Sequence, residues 1–429
     1  MKQPHFATIQ LDKVVGGGQT LGQLEDGKKV FAWGGLPGET VTVQLTKAKK
    51  NFAEGIVTEV VKASDERVEP RDPDSFLSTS PWQVYAFSAE QHYKAALIEE
   101  AFELHDIVLP EPIEIATNNQ QYEYRNKVEF SFWWDTDKNQ LDLAFFRRGG
   151  HSKVPVAMTS LAMPAITTAA QTILECLRNA TIEGRSLKTL LIRTTQSGAV
   201  CAQLYVKDRE VADRLGDVLG SLSLQGVEII YSDHRSPASV ITERLWKHGD
   251  VTLTDTILET PFRYAVEGFF QVNLPLYEMT LRDMQTFIPE DTPVIDMYSG
   301  VGTIGLTIGG ANPTLVEVNA YAVEEMRQNV SLLKRPATIV HASSETALEV
   351  ITSDATIIVD PPRAGLHEKV VLELLAKRPA RIIYLSCNPV TQARDVALLA
   401  TAYGIRAHKG YNFFPRTPHI EHLVVLELK

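Results

Sequence analysis

The chain has 429 residues, 42 Lys and Arg against 53 Asp and Glu, a formal net charge of −11 and 44% hydrophobic residues. That length suits roughly two to four domains, and the apolar share beside 22% charged residues excludes wholesale disorder. The acidic balance argues against a surface coated in basic residues for indiscriminate polyanion binding, although a local groove of Lys and Arg would set such an affinity whatever the total. No apolar stretch reaches the roughly 18 residues that a bilayer span needs. The opening Met1-Lys2-Gln3-Pro4-His5 lacks the apolar core of a signal peptide. Cys176, Cys201 and Cys387 show no framework spacing, which fits a reducing compartment. The expectation is a soluble, multi-domain cytoplasmic protein with no membrane partner.

Residues 1–62 alternate short strand-like runs with turn signals. Ala7–Leu11, Val30–Trp33, Val41–Leu45 and Gly55–Val60 have the β-branched, period-2 pattern of strands, punctuated by Gly16-Gly17-Gly18, Asp26-Gly27 and Leu36-Pro37-Gly38-Glu39. Four or five such strands predict a small barrel of the kind that binds oligonucleotides across one face. Its most basic feature is Lys47-Ala48-Lys49-Lys50-Asn51-Phe52, with Phe31, Trp33 and Phe52 near it in sequence. Ser64 to Ser80, rich in charge, Pro and Ser, reads as a linker. Glu90 to Leu104 has helical spacing in Tyr93, Ala96, Leu97, Ala101 and Leu104. Residues 120–260 mix alternating strands such as 124–132 and 141–146 with a helical period over 166–180. From about 265 the order strand, glycine turn, helix, strand predicts a parallel doubly wound α/β sheet.

Four segments of this last region carry chemistry. In Val294-Ile295-Asp296-Met297-Tyr298-Ser299-Gly300-Val301-Gly302-Thr303-Ile304-Gly305, a buried strand enters a glycine turn, where the backbone can approach a nucleotide or nucleoside closely. Glu317, at the end of the next strand, is placed to accept ribose hydroxyls. Gly300, Gly302 and Gly305 with Glu317 also match a dinucleotide pattern for NAD. Asp360-Pro361-Pro362-Arg363 ends a third strand in an acid and a rigid double proline, suited to gripping a flat heterocycle. Ser386-Cys387-Asn388-Pro389 puts a thiol at the C-terminal tip of a fourth strand, where open α/β sheets bind ligands, so Cys387 is a candidate thiolate nucleophile. Cys176 and Cys201 read as packing residues. Arg416, His419, Glu421 and His422 crowd the loop before the closing strand Leu423–Leu428. The two histidines lack the spacing of a zinc protease and no other ligand cluster exists, so no metal is expected.

Together, these segments with Gly268-Phe269-Phe270-Gln271-Val272-Asn273 and the N-terminal barrel resemble the S-adenosylmethionine-dependent RNA (uracil-5-)-methyltransferases that carry a TRAM domain, across most of the chain. The resemblance implies a Rossmann-like doubly wound methyltransferase domain, an N-terminal OB-like TRAM barrel over 1–62, and a central α+β RNA-binding domain over 63–89 and 117–260. Segments 90–116 and 261–429 would form the methyltransferase domain. It implies Cys387 as nucleophile, Glu421 as base, and Gln271, Tyr298, Thr303, Glu317, Ser343 and Asp360 as holders of S-adenosylmethionine. The chemistry explains the pairing: C5 of uracil is a poor nucleophile until a thiolate adds at C6, and a base must afterwards take the C5 proton. Arg125 and Lys127 look like RNA contacts, and a monomer acting on a flipped-out uridine is expected.

Many such enzymes carry four cysteines for an iron–sulfur cluster; here Asp72–Gln83 and Ser160-Leu161 have none, so no cluster is expected. The barrel points to 23S ribosomal RNA as the substrate, with tRNA as the alternative. An amino-methylating enzyme fits less well, because Arg363 follows the double proline in place of a stacking aromatic. A catalytically silent RNA-binding protein would need neither Cys387 nor Glu421, and an NAD dehydrogenase leaves both, with Asp360, unexplained.

Overall fold

A computed structural model describes residues 5–429; Met1–Pro4, part of the opening weighed above for a leader, lie outside the described residues. Strands β1 (His5–Val14), β2 (Thr20–Gln23), β3 (Lys29–Trp33), β4 (Thr40–Ala48) and β5 (Phe52–Lys62) close into a barrel in the order β1-β2-β3-β5-β4. Alternation fills its interior with Ile9, Leu11, Val30, Ala32, Val41, Val43 and Ala53 and turns Thr and Lys outward. Strand β2 has no β-branched run to announce it, having only four residues with Gly22 among them.

The segment expected to be a linker is instead pinned. Glu39, fully buried, accepts hydrogen bonds from Arg67 Nε at 2.6 Å and Nη2 at 2.7 Å. Asp72 accepts from Ser160 Oγ at 2.8 Å, from the Ser160 N–H at 3.0 Å and from Gln83 Nε2 at 2.9 Å. Trp82, Val84 and Tyr85 pack with Val14 and Leu36 of the barrel. Charge and serine that looked solvated are consumed by partners distant in sequence.

Helix Phe87–Glu103 and the short strand β6 (Ile115–Ala116) follow, then a seven-stranded sheet. It comprises β7 (Lys127–Asp135), β8 (Gln140–Phe146), β9 (Lys153–Pro155), β10 (Leu187–Thr194), β11 (Val200–Val206), β12 (Gly226–Tyr231) and β13 (Glu243–Gly249), in the order β13-β12-β11-β10-β7-β8-β9. Helices Pro164–Asn179 and Glu210–Gly220 cover one face, with Ile166, Ile173, Leu177, Val211 and Leu215 buried against it. Leu191, Cys201, Tyr205 and Ile230 instead join the core of the C-terminal half. The hairpin β14 (Thr252–Ile257) and β15 (Thr260–Ala265) bridges the two and spans position 260, where the sequence reading put a boundary.

The C-terminal sheet contains β16 (Val294–Met297), β17 (Thr314–Glu317), β18 (Thr338–His341), β19 (Thr356–Val359), β20 (Arg381–Ser386), β21 (Tyr403–Tyr411) and β22 (Glu421–Leu428). Its order is β18-β17-β16-β19-β20-β22-β21-β6. Strands β16 to β20 run parallel, and β22 is antiparallel to both β20 and β21. The expected α/β class holds, with a mixed rather than wholly parallel sheet. Strand order reverses between β17 and β19, on either side of β16, which opens a crevice at the carboxyl ends. No helix among the described residues is long and apolar enough to cross a membrane.

Candidate active site

The glycine turn forms because β16 delivers a buried acid into a backbone that reverses at once. Tyr298, Gly300 and Gly302 all have positive φ, of 70°, 58° and 90°. A Cβ on Gly305 would collide with Leu315, and the Gly305 N–H donates to Asp296 Oδ2 at 2.9 Å. Nothing lies within 4 Å of where a Cβ on Gly300 would project, so the turn faces open space. The Gly300 N–H donates to Glu317 Oε2 at 2.9 Å and the Asn319 N–H to Glu317 Oε1 at 2.6 Å. Those two bonds fix the carboxylate and leave it lone pairs for further donors. Asp296 is fully buried, its Oδ1 has no partner, and burial pushes its carboxyl up to about 7.

Register assembles the second half of the site. In the β20–β22 ladder Leu385 faces Leu423 and Ser386 faces His422, and Cys387 and Glu421 adjoin that last pair. Glu421 also pairs with Tyr411 across β22 and β21. It is therefore the first residue of a strand, rather than part of the preceding loop as its sequence neighbours suggested. Asp360 follows β19, which pairs with β20 on its other side. Burial, then the Glu421 and Asp360 carboxylates, push the Cys387 thiol up to about 12, with Arg363 opposing. Glu421 is raised well above the usual carboxylate range by burial and by Asp360, and burial lifts Asp360 to about 7. Burial thus favours the protonated form of both carboxyls, and the charge of Asp360 adds to that on Glu421. A thiol beside two carboxyls that burial keeps protonatable near neutrality suits reversible nucleophilic addition with proton removal.

The loop that leads into Glu421 is held by buried charge. Glu90 and Lys94, on helix Phe87–Glu103, are both fully buried and pair at 3.0 Å. Lys94 Nζ donates to Asn412 Oδ1 at 2.5 Å and to the Phe414 carbonyl at 3.1 Å. Glu90 accepts from Asn412 Nδ2 at 2.8 Å and from the Arg416 N–H at 3.0 Å. Arg416 Nη1 reaches the Tyr85 carbonyl at 2.6 Å, and Nη2 donates to Gln121. On the barrel side, a Cβ at Gly18 would collide with Pro418, and Trp82 Nε1 donates to the Gly18 carbonyl at 3.0 Å.

The other expected residues distribute as follows. Thr303 lies on the glycine turn and exchanges a hydrogen bond of 2.9 Å with Tyr277. Gln271 is buried just before helix Leu274–Gln285, with its carbonyl accepting from Asn126 at 2.9 Å. Ser343 follows β18 and hydrogen-bonds Thr346 at 3.0 Å, in the loop whose Ser344 abuts Tyr298. Arg125 lies over the Phe414 ring at 5.7 Å. Lys127 departs from expectation: it turns inward, donates to the Glu267 carbonyl at 3.0 Å, and burial lowers it to about 8. Cys201 is buried in the core shared with the C-terminal half, and Cys176 packs at the edge of the separate core beneath helices Pro164–Asn179 and Glu210–Gly220. His422 points into the protein at Gln392, 2.7 Å away. No group of three metal-ligating side chains gathers among the described residues.

Sequence reasoning missed Tyr277, whose buried hydroxyl faces Asp360, Asp296 and Glu421. It sits on a helix with no motif around it. Asp296 lies inside the glycine-turn motif, yet its side chain drew no role from the sequence; its position before the turn was a readable signal.

Comparisons with known proteins fall in the same order along the chain. Residues 11–58 match the TRAM domain family, and residues 343–429 match the family described as tRNA (Uracil-5-)-methyltransferase. A protein of Enterococcus faecalis named as an uncharacterized RNA methyltransferase is 28% identical over 92% of this chain and 92% of its own. One of the same name from Lactiplantibacillus plantarum is 29% identical over 94% of this chain and 93% of its own. The fold is similar to that of the Pyrococcus abyssi tRNA (uracil-54, C5)-methyltransferase crystallised with S-adenosyl-L-homocysteine. That likeness has a TM-score of 0.81 and 22% identity, and covers 98% of this chain and 100% of the other.

Proposed function

We propose that this chain, a TRAM-bearing RNA (uracil-5-)-methyltransferase that takes its methyl group from S-adenosylmethionine, works through a covalent bond between Cys387 and C6 of a uridine. Glu421 then collects the proton from C5. The observation that supports this reading is that Cys387 follows directly on the last β20–β22 pair, with the Glu421 and Asp360 carboxylates acting on its thiol.

The residues present fit the methyl donor. Glu317 has lone pairs left for ribose hydroxyls, Asp296 Oδ1 is buried without a partner, and Gly300 faces open space. Tyr298, Thr303, Ser343, Asp360 and Gln271 would complete the cradle. S-adenosylmethionine supplies there an electrophilic methyl group on a positively charged sulfur. As Cys387 Sγ bonds C6, its proton leaves to water, and the C5–C6 π electrons move onto C5 and O4. C5 would then take the methyl group as its bond to the sulfonium sulfur breaks and neutral S-adenosylhomocysteine leaves. Glu421, once ionised, removes the C5 proton; the C5–C6 double bond reforms and the C6–S bond breaks. The departing thiolate takes that proton from Glu421, so one turnover releases one proton in all. Because the thiol is half-buried in the protein, the uridine must leave its stack to reach it.

For the substrate, the barrel supports 23S ribosomal RNA, read as a platform for a large folded RNA. The second reading, tRNA, is favoured by the archaeal enzyme above, which acts on tRNA and whose fold covers 98% of this chain. Incubation with undermodified ribosomal RNA and tRNA and labelled methyl donor, followed by mapping of labelled 5-methyluridine, decides between them. Absence of 5-methyluridine from both would refute the assignment of the reaction.

A further inference from the structure

We infer that the cleft between the barrel and the central sheet, floored by Arg147 and Arg148, is a seat for the phosphate backbone of the RNA. This rests on the RNA substrate proposed above, and adds where the strand runs.

The cleft has a volume of about 350 Å³, and Ile56, Leu77, Asp74, Arg147, Arg148 and Gly149 line it. Arg148 is half-buried, with its guanidinium 4.1 Å from the Trp33 ring centroid and its Nε donating to the Leu77 carbonyl at 2.5 Å. Burial lowers its pKa with no carboxylate opposing the fall. Among the described residues neither Arg147 nor Arg148 forms an ion pair, with Asp74 of the same cleft or with any other carboxylate. A guanidinium withdrawn from water and left without an anion is unfavourable unless something else brings the charge. Its stacking on Trp33 and its bond to Leu77 hold it in one orientation, with donors left over.

The surroundings indicate a polymer rather than a single ion. Gly149 has a φ of 75° and approaches Thr46 and Ile56 of the barrel. Thr46 leads into the hairpin that carries Lys47, Lys49 and Lys50. Lys47 is paired with Glu54 at 2.9 Å, while Lys49 lies over Phe52 at 5.4 Å, and neither Lys49 nor Lys50 forms an ion pair among the described residues. Exposed Phe146 flanks the arginines, with Lys153 over its ring at 5.1 Å. Cations spaced along a track with aromatic faces beside it match a single strand better than a compact anion.

The test is the salt dependence of RNA affinity for the full chain, wild type against Arg147→Ala, Arg148→Ala and the double variant. Each phosphate contact contributes about 0.7–0.9 to the slope of log affinity against log salt. The double variant should therefore lose about 1.4–1.8 of that slope, on any RNA sequence, with S-adenosylhomocysteine binding unchanged. If loss of the Arg148 contacts unfolds the protein, Arg147→Ala, an exposed side chain, should still lose about 0.7–0.9. A wild type that methylates RNA while folded variants keep its full slope would overturn the cleft as the seat. A wild type with neither RNA binding nor methyl transfer would overturn the functional reading beneath it.

Discussion

Replacing Glu90 by Gln tests whether buried charge holds the catalytic loop. Glu90 is fully buried, and its carboxylate lies 3.0 Å from Lys94 and receives the Asn412 amide and the Arg416 N–H. The amide introduced by Glu90→Gln keeps the volume but leaves Lys94 and Arg416 buried without their anion. Breaking one side of a buried pair is worth about 3–5 kcal/mol. Removing both charges, as Glu90→Leu with Lys94→Met, would abolish the uncompensated charge on Lys94 and leave only the Arg416 guanidinium without its anion. The Arg416 N–H and Asn412 would still lose their acceptor and donor, at about 1–3 kcal/mol for each buried group left alone. Urea unfolding followed by far-UV circular dichroism measures both. The Glu90→Gln variant should also lose turnover more than affinity for S-adenosylhomocysteine, because the glycine turn does not depend on this network. A Glu90→Gln variant within about 1 kcal/mol of wild type would refute the reasoning, since no buried pair of this kind is broken so cheaply.

Five other outcomes are expected. Cys387→Ser should form no 5-methyluridine, whereas Glu421→Gln should accumulate protein covalently bound to RNA, seen as a slowly migrating band on a denaturing gel. With its thiol pushed up to about 12, Cys387 in the free enzyme should react with iodoacetamide at pH 7.5 about a thousandfold more slowly than an ordinary thiol, by peptide mapping. Asp296, lifted to about 7, binds its proton more tightly folded than unfolded; its stability contribution is full below about pH 4 and is lost as pH rises towards 7. Wild-type stability should thus fall relative to Asp296→Asn across that window, by up to about 1.4 kcal/mol per pH unit in urea titrations. Gly305→Ala, whose Cβ would strike Leu315 beneath the turn, should weaken S-adenosylhomocysteine binding in calorimetry.

The motifs were legible because each is a local event: a buried strand, an abrupt glycine or proline turn, and a reactive side chain at the tip. Asp296–Gly305, Asp360–Arg363 and Ser386–Pro389 all appear at such tips in the fold. What stayed hidden depends on partners far away in the chain. Glu90 and Arg416 are 326 residues apart, and nothing near either announces the other. Ser64–Ser80 looked solvated because its polar partners, Glu39 and Ser160, lie far outside that stretch of sequence. Lys127 alternates as an outward residue would, yet its face of the sheet is covered by the chain around Glu267. Glu421 looked like loop because Thr417 and Pro418 precede it, whereas the ladder with Tyr411 makes it strand.

The contact between Gly18 and Pro418 ties the first turn of the barrel to the stretch that ends in Glu421. A glycine is obligatory there for space as well as for its φ of 89°. The first turn of the barrel therefore seats the stretch that leads into Glu421. Lineages inheriting this arrangement could not shed the barrel without rebuilding the seat of Pro418.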